Sequence, residues 1–163
     1  MTTEKTEFEA MEVLDEEQIV NEMKGHVIDK YFYEFSGVVG ISWAGIKWVS
    51  RKLSDQGHGI DICDLQTTST NDAYEVIAIA QDINTKERRY GASTQAKMMQ
   101  LRDGSEKPDP FALQKAISKA QRNAIRNFIP EIAIQEGYKE WKQRGQAPST
   151  SSFHEYKEGK LVK

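Results

Sequence analysis

Residues 109–130 read DPFALQKAISKAQRNAIRNFIP and predict one long helix. Asp109 is a favourable N-cap, Pro110 suits the first helical position, and Pro130 ends a helix. At 100° per residue, the apolar side chains fall within an arc of about 80°, which predicts the buried face of this helix. That predicted buried face consists of Leu113, Ile117, Ala120, Ala124 and Phe128.

The opposite face of the same helix is cationic. Four basic side chains fall within about 60° of one another, and no acidic residue lies between Pro110 and Pro130. Because like charges four residues apart destabilise a helix, the pattern favours an anionic partner, most commonly a phosphate backbone. A solvated cationic face without a partner fits the pattern equally well. The four cations are Lys115, Lys119, Arg122 and Arg126.

The composition is that of an ordinary globular protein. The chain has 163 residues, of which 38% are hydrophobic and 29% charged, enough for one domain with a sizeable core. The net charge of −3 conceals an uneven distribution. Residues 1–29 carry nine acidic and two basic side chains, whereas residues 30–130 carry eleven acidic and fourteen basic ones. The sequence therefore predicts an acidic arm followed by a basic body.

Several functional classes are disfavoured. One cysteine, Cys63, and three scattered histidines make neither a disulfide framework nor a metal site. The Walker phosphate loop is absent, and no histidine has an obvious role beside Cys63, so we expect no cofactor, no metal and no catalysis. No segment reads as a signal peptide or a membrane span, so we expect a cytoplasmic, nucleoid-associated protein that does not engage a membrane.

The strand carboxylates leave one enzymatic alternative open, a small metal-dependent nuclease. These side chains match no recognisable motif, and turn caps or solvated strand faces explain most of them. The candidates are Asp61, Asp64, Asp72, Glu75, Asp82 and Glu87.

Periodicity predicts an α+β fold with an antiparallel sheet packed on helices. The predicted order is a short helix opened by Asp15, a hairpin, a helix capped by Ser42, three strands, a long loop over residues 94–108, the long helix, and a further helix from Pro130 to Gly145. We expect residues 1–13 to be a flexible acidic arm, 14–145 a single domain, and 146–163 a disordered tail.

Basic side chains recur outside the long helix. Lys47 and Arg51 share one face of the predicted helix after Ser42, and Arg88 faces the same way as Tyr90 on the third strand. Aromatic side chains stack on bases in many single-strand binders, but on helices and strands they are more often part of the core. We therefore expect a core role for Tyr31, Tyr33, Trp43 and Trp48.

This order of elements, over about Val27–Pro130, resembles the DNA-binding core of the Rad-fifty-two family of single-strand annealing proteins. The segment WAGIKWVSRKLSDQG is similar to the family's first core helix, with Gly45, Lys47 and Gly57 at the matching places. The segment KERRYGAS is similar to the last strand, which ends in an aromatic–glycine pair, here Tyr90–Gly91.

The segment AQRNAIRNF also resembles the family, which has a basic pair followed by Ala-Leu-Arg-Ser-Phe. Two departures are visible: Asn123 replaces the second residue of the basic pair, and Ile129–Pro130 stands where the family has a glycine. The matching residues are Arg122, Ala124, Ile125, Arg126 and Phe128.

The resemblance implies a β-β-β-α core that assembles into rings, with single-stranded DNA held by its phosphates in a basic groove. Lys47, Arg122 and Arg126 would be phosphate contacts. We therefore expect a non-catalytic homo-oligomer, a ring or filament, that anneals complementary strands in recombination and repair. A recombinase or a single-strand-binding protein is an expected further partner. The complete predicted contact set is Lys47, Arg51, Arg88, Lys115, Lys119, Arg122 and Arg126.

Two alternatives from other classes stay open beside the nuclease. One is a general single-stranded nucleic-acid binder without annealing activity. The other is an interaction domain whose acidic arm binds the basic stripe of a neighbour.

Overall fold

The computed structural model describes residues 6–28, 30–35 and 37–144. The described chain is α+β with antiparallel sheets and helices packed on them, which confirms the predicted fold class. Its elements are α1 (Glu7–Met23), β1 (Phe32–Phe35), β2 (Val38–Ile41), α2 (Trp43–Asp55), β3 (Ile60–Ser69), β4 (Ala73–Asp82), β5 (Arg88–Ala96), β6 (Met98–Gln100), β7 (Glu106–Pro108), α3 (Ala112–Arg126) and α4 (Glu131–Gln143).

The chain divides into two compact units, although the sequence predicted a single domain over residues 14–145. The boundaries fall inside α2, after Trp48, and between α3 and α4, after Pro130. The terminal unit contains α1, β1, β2, the start of α2, and α4. The central unit, Val49–Pro130, contains the end of α2, strands β3 to β7, and α3.

A three-stranded antiparallel sheet in the order β3-β4-β5 forms the base of the central unit. Its middle strand buries Val76, Ala78 and Ala80 on one face, and Ile79 is also buried on the other. Helix α3 packs mainly on β5 and β4. The three strands and the long helix are present as predicted, but the β6–β7 hairpin lies between them, and α3 begins at Ala112, with Phe111 rather than Asp109 at the N-cap position.

Helix α3 meets the sheet through alanines rather than through its larger apolar side chains. A row of small residues at every fourth position is fully buried: Ala112, Ala116, Ala120 and Ala124. The prediction was right for Ala120 and Ala124, but wrong for Leu113, which is 38% exposed. Ile117 and Phe128 are half-buried.

Gly91 on β5 explains why α3 uses its small residues. A Cβ atom at Gly91 would overlap the backbone nitrogen of Ala124 and the carbonyl oxygen of Ala120. The helix backbone therefore lies directly against the strand backbone, which leaves no room between them for leucine or phenylalanine. This close contact determines which way every other side chain of α3 points.

The predicted loop over residues 94–108 is wrong. Strand β5 continues to Ala96, and residues 98–108 form the β6–β7 hairpin, with Met98 paired to Pro108. Gly104, at a φ of 85°, provides the left-handed position in its turn. The backbone N–H of Asp109 donates to the carbonyl of Lys97 at 2.8 Å and closes the base of the hairpin just before α3.

In the terminal unit, α1 begins much earlier than predicted. A capping box joins Thr6 and Glu9, so residues 7–13, predicted as part of a flexible arm, are helical. Asp15, the predicted N-cap, lies inside this helix. Its buried carboxylate accepts the backbone N–H of Trp43 at 2.8 Å and so caps the start of α2 instead.

The remaining predictions for the terminal unit hold where the structure describes them. Strands β1 and β2 form the expected hairpin, with Phe32 opposite Ile41, and Ser42 Oγ accepts the N–H of Gly45 at 3.0 Å. Phe32 packs against Tyr138 and Trp141 with ring centroids 5.3 and 5.4 Å away.

The aromatic side chains singled out in the sequence belong to the core. Tyr33 and Trp43 are buried. Tyr31 stacks on Trp48 at 5.1 Å. The predicted end of α4 at Gly145 and the tail over residues 146–163 lie outside the described residues.

We predict that Gly91→Ala lowers the free energy of unfolding by about 2–3 kcal/mol, because the added methyl group forces apart two backbones that cannot yield locally. Urea unfolding followed by circular dichroism measures the change. Gly59→Ala is the matched control, since its Cβ would meet chiefly the end of the flexible Ile83 side chain at 3.0 Å. Equal stability of the two variants would contradict the proposed close contact.

Candidate nucleic-acid interface

The predicted cations on α2 belong to different units. Lys47, in the terminal unit, forms an ion pair with Glu22 of α1, and its Nζ lies 5.2 Å from the centroid of the Trp43 ring. A phosphate would reach Lys47 only in competition with Glu22. Arg51, in the central unit, is exposed, and within the described residues its side chain forms no hydrogen bond or ion pair.

Two of the four predicted cations on α3 are buried. Lys115 Nζ lies 2.6 Å from Asp109 Oδ2, and the two side chains are only 10% and 3% exposed. The other carboxylate oxygen of Asp109 accepts the N–H of Phe111 at 2.9 Å. Buried charges are tolerated only when they are paired, so this ion pair anchors the start of α3. The expectation that Lys115 lies on an open cationic face is therefore wrong.

Lys119 is also turned inward. Its side chain is buried and donates to Gln95 Oε1 of β5 at 3.2 Å. The cause is the alanine contact at Gly91, which rotates α3 so that positions 115 and 119 face the hairpin base and β5. The expected solvated cationic stripe is thus divided, and only its second row, Arg122 and Arg126, stays at the surface.

Two asparagines continue the inward row along β5. Asn123 Nδ2 donates to the carbonyl of Ala92 at 2.9 Å, and Asn127 Nδ2 donates to the carbonyl of Tyr90 at 2.8 Å. Four residues of helix rise about 6 Å and two residues of strand about 6.6 Å. Asparagines four residues apart on α3 therefore stay opposite carbonyls two residues apart on β5. Carbonyls on an edge strand otherwise bind a further strand, so these bonds protect the β5 edge.

Arg122 and Arg126 are half-buried and hydrogen-bonded to nearby groups. Arg122 Nε donates to Asn123 Oδ1 at 3.2 Å, and Arg126 Nη1 donates to the carbonyl of Ile129 at 3.4 Å. Arg126 lies in the last turn of α3, where the helix dipole favours a cation.

The start of β5 brings further arginines to this end of α3. Arg88 is exposed, and its side chain has no hydrogen bond or ion pair to any described residue. Arg89 Cζ lies 5.2 Å from the centroid of the Phe128 ring, and its Nη2 is 3.5 Å from Glu87. Tyr90 is 62% exposed. We call five residues of this strand and helix the β5–α3 cluster: Arg88, Arg89, Tyr90, Arg122 and Arg126.

Sequence reasoning found part of this cluster. It named Arg88, Arg122 and Arg126 as contacts, but it gave no role to Arg89, because neighbouring strand residues point to opposite faces. It placed Tyr90 on the same face as Arg88 and in an aromatic–glycine pair, but gave it no contact role. The available signal was the run of two arginines and a tyrosine at a strand end.

Carboxylates considered for a nuclease serve as local hydrogen-bond acceptors. Asp61 and Asp64 accept the N–H groups of Ile62 and Leu65, each at 2.8 Å. The backbone N–H groups of Thr85 and Asn84 hold the pKa of Asp82 below its usual value, as expected of a turn cap. Across residues 6–28, 30–35 and 37–144, no group of three or more His, Cys, Asp or Glu is placed to hold a metal ion.

Comparisons with known proteins give no assignment. No protein-family model matches the chain, and no curated protein or solved structure matches it significantly. Among the described helices, none combines the length and apolar character needed to cross a membrane.

We predict that Lys115→Met lowers the free energy of unfolding by about 3 kcal/mol, because the Asp109 carboxylate is then buried without its cation. The double variant Asp109→Asn/Lys115→Met should recover much of this loss, since neither charge remains. Denaturant titrations of the wild type and both variants make the comparison. If Lys115→Met were as stable as the wild type, Lys115 would return to the candidate phosphate contacts.

Proposed function

We propose that this protein binds single-stranded DNA through the β5–α3 cluster and, as a homo-oligomer, anneals complementary strands without catalysing a covalent reaction. One observation carries the proposal: β5 begins with Arg88 and Arg89, and Arg89 lies beside Phe128, just after the last turns of α3 that carry Arg122 and Arg126. Arg88 there is exposed and unpaired in the described chain. Arg89 lies 3.5 Å from the carboxylate of Glu87.

Guanidinium groups suit a phosphate backbone. They stay charged at any physiological pH and bind phosphate oxygens with two parallel hydrogen bonds. Phosphate contacts give affinity that does not depend on sequence, and they leave the base edges unread. An annealing protein needs both properties, because the bases must remain able to pair.

The burial of side chains narrows the proposed contact set to Arg88, Arg89, Arg122 and Arg126. Lys115 and Lys119 are left out because they bind Asp109 and Gln95 within the unit. Lys47 and Arg51 remain predictions that rest on their positions in α2 and, for Lys47, on the family resemblance. To bind a phosphate, Lys47 would also have to break its ion pair with Glu22.

Annealing and self-assembly are supported by the resemblance and by one structural agreement. The central unit has a three-stranded sheet followed by a long helix, as the resemblance implies, although the β6–β7 hairpin lies between them, and the glycine of the aromatic–glycine pair contacts that helix. Many weak sites held in one oligomer would bind a strand by avidity rather than by sequence. Because the β5 edge is protected, assembly would use surfaces other than that edge. A recombinase or single-strand-binding partner stays a prediction.

We predict that Arg88→Ala weakens binding to single-stranded oligonucleotides of every sequence and reduces the salt slope by about 0.7, the value for one phosphate contact. Arg122→Ala/Arg126→Ala should reduce the slope by about twice that amount. Fluorescence anisotropy across a salt series measures both. Circular dichroism must first show native spectra, since the second pair is half-buried.

Arg102→Ala/Lys107→Ala is the control, because it removes two exposed cations from the β6–β7 hairpin of the same unit. It should change the affinity far less than the cluster variants. An equal loss in both double variants would mean that net charge, rather than the cluster, governs binding.

We further expect the wild type to accelerate pairing of complementary strands and to sediment at a mass many times 18.6 kDa. Stopped-flow energy transfer between labelled strands and analytical ultracentrifugation measure these properties. Binding without acceleration would favour the general single-strand binder. Magnesium-dependent loss of the oligonucleotide would favour the nuclease.

A further inference from the structure

Tyr90 presents a large ring to solvent from β5, an edge strand of the three-stranded sheet. Within the proposed function, on which this inference rests, we propose that the Tyr90 ring stacks on an unpaired nucleobase of the bound strand. The arginines of the β5–α3 cluster would then bind the phosphates of any nucleic acid. Tyr90 would favour single strands, whose bases are free to stack.

The ring lies on the face of the sheet opposite α3. Residues paired across antiparallel strands point to the same face, and Gly91 with its partner Ala78 faces the helix. Tyr90 and its partner Ile79 therefore face away from α3, where Ile79 is only 7% exposed and Tyr90 is 62% exposed. Beside them Ala92 pairs with Ile77, which is 42% exposed, so the ring has an apolar neighbour and an open side.

The backbone of Tyr90 is held on both sides. Its carbonyl accepts the Asn127 amide at 2.8 Å, and the next residue, Gly91, lies directly against the backbone of α3. With the backbone held in this way, only the side-chain torsions of Tyr90 remain to be ordered when a base stacks on its ring.

The charged side chains on this face of the sheet indicate the path of the bound nucleic acid. Arg88, two residues before Tyr90, shares its face and is exposed. The bulge between Ile62 and Asp64 puts both Asp61 and Asp64 on the same face of β3, opposite Gln81 and Ile79. Because strands are about 4.8 Å apart, these carboxylates lie roughly 10 Å from β5 and repel phosphates there. The nucleic acid would therefore follow β5 rather than cross the sheet.

The surroundings of Tyr90 favour a nucleobase over a second copy of the chain. The apolar part of this face is small, and polar or charged side chains border it, namely Gln66, Thr68, Glu75, Gln81 and Thr94. A stable protein interface needs a wider apolar centre. A single ring beside an unpaired arginine is the arrangement that single-strand binders combine.

Two oligonucleotides of equal length, an oligothymidylate and a fully abasic strand, separate stacking from phosphate binding. We expect Tyr90→Ala to weaken binding of the oligothymidylate about tenfold and to leave binding of the abasic strand unchanged. Tyr90→Phe should bind both probes like the wild type, because stacking needs only the ring. Arg88→Ala should lose affinity for both probes.

The outcomes distinguish this inference from the proposed function. If the wild type binds oligothymidylate and Tyr90→Ala binds it equally well, or loses both probes alike, stacking is overturned while DNA binding stands. If the wild type binds neither probe, both fail. If Tyr90→Ala instead lowers the oligomeric mass and base-dependent affinity is unchanged, the ring is a contact between copies and the inference is overturned.

Discussion

The contact between the backbone of α3 and Gly91 of β5 governs the arrangement of the central unit. Helix and strand can meet this closely only where neither carries a side chain larger than alanine at the point of contact. The alanine row of α3 follows from that limit. The same contact turns Leu113 toward solvent and brings positions 115, 119, 123 and 127 toward the hairpin base and β5.

Charge is then distributed according to what each position faces. Lys115 and Lys119 meet a buried carboxylate and a glutamine, and they contribute to the fold. Asn123 and Asn127 occupy carbonyls of an edge strand, which closes that edge to other chains. Arg122 and Arg126, on the next row, remain at the surface with the arginines of β5. One basic helix thus performs structural and proposed binding roles with different rows of side chains.

The arginines and Tyr90 have different proposed roles in binding. The arginines would supply affinity for any nucleic-acid strand, while the Tyr90 ring, on the same face of the sheet as Arg88, would distinguish unpaired bases. Both depend on the position of β5, which the glycine contact and the two asparagine bonds hold in place. Function and stability therefore converge on residues 88–92.

Sequence patterns were sufficient for the fold class and for most of the elements. Strand β4, the β1–β2 hairpin and the Ser42 cap are local features, determined by alternation and by side chains within a few residues. The start of α1 could also have been predicted from the capping box of Thr6 and Glu9. The acidic composition of residues 1–13 instead led to the prediction of a flexible arm. The hairpin in residues 98–108 was not predicted, because its strands are only three residues long and show no clear alternation.

Tertiary structure alone decided which face of α3 is buried and which of its cations are buried with it. A helical wheel weighs side chains by hydrophobicity, whereas this interface selects them by size, because Gly91 admits the helix backbone itself. The partners of Lys115 and Lys47 lie outside their own helices, at Asp109 and Glu22, so no charge pattern within a helix reveals them. The exposure of Tyr90 likewise depends on which side of the sheet α3 covers, and that choice is made only when strand and helix pack.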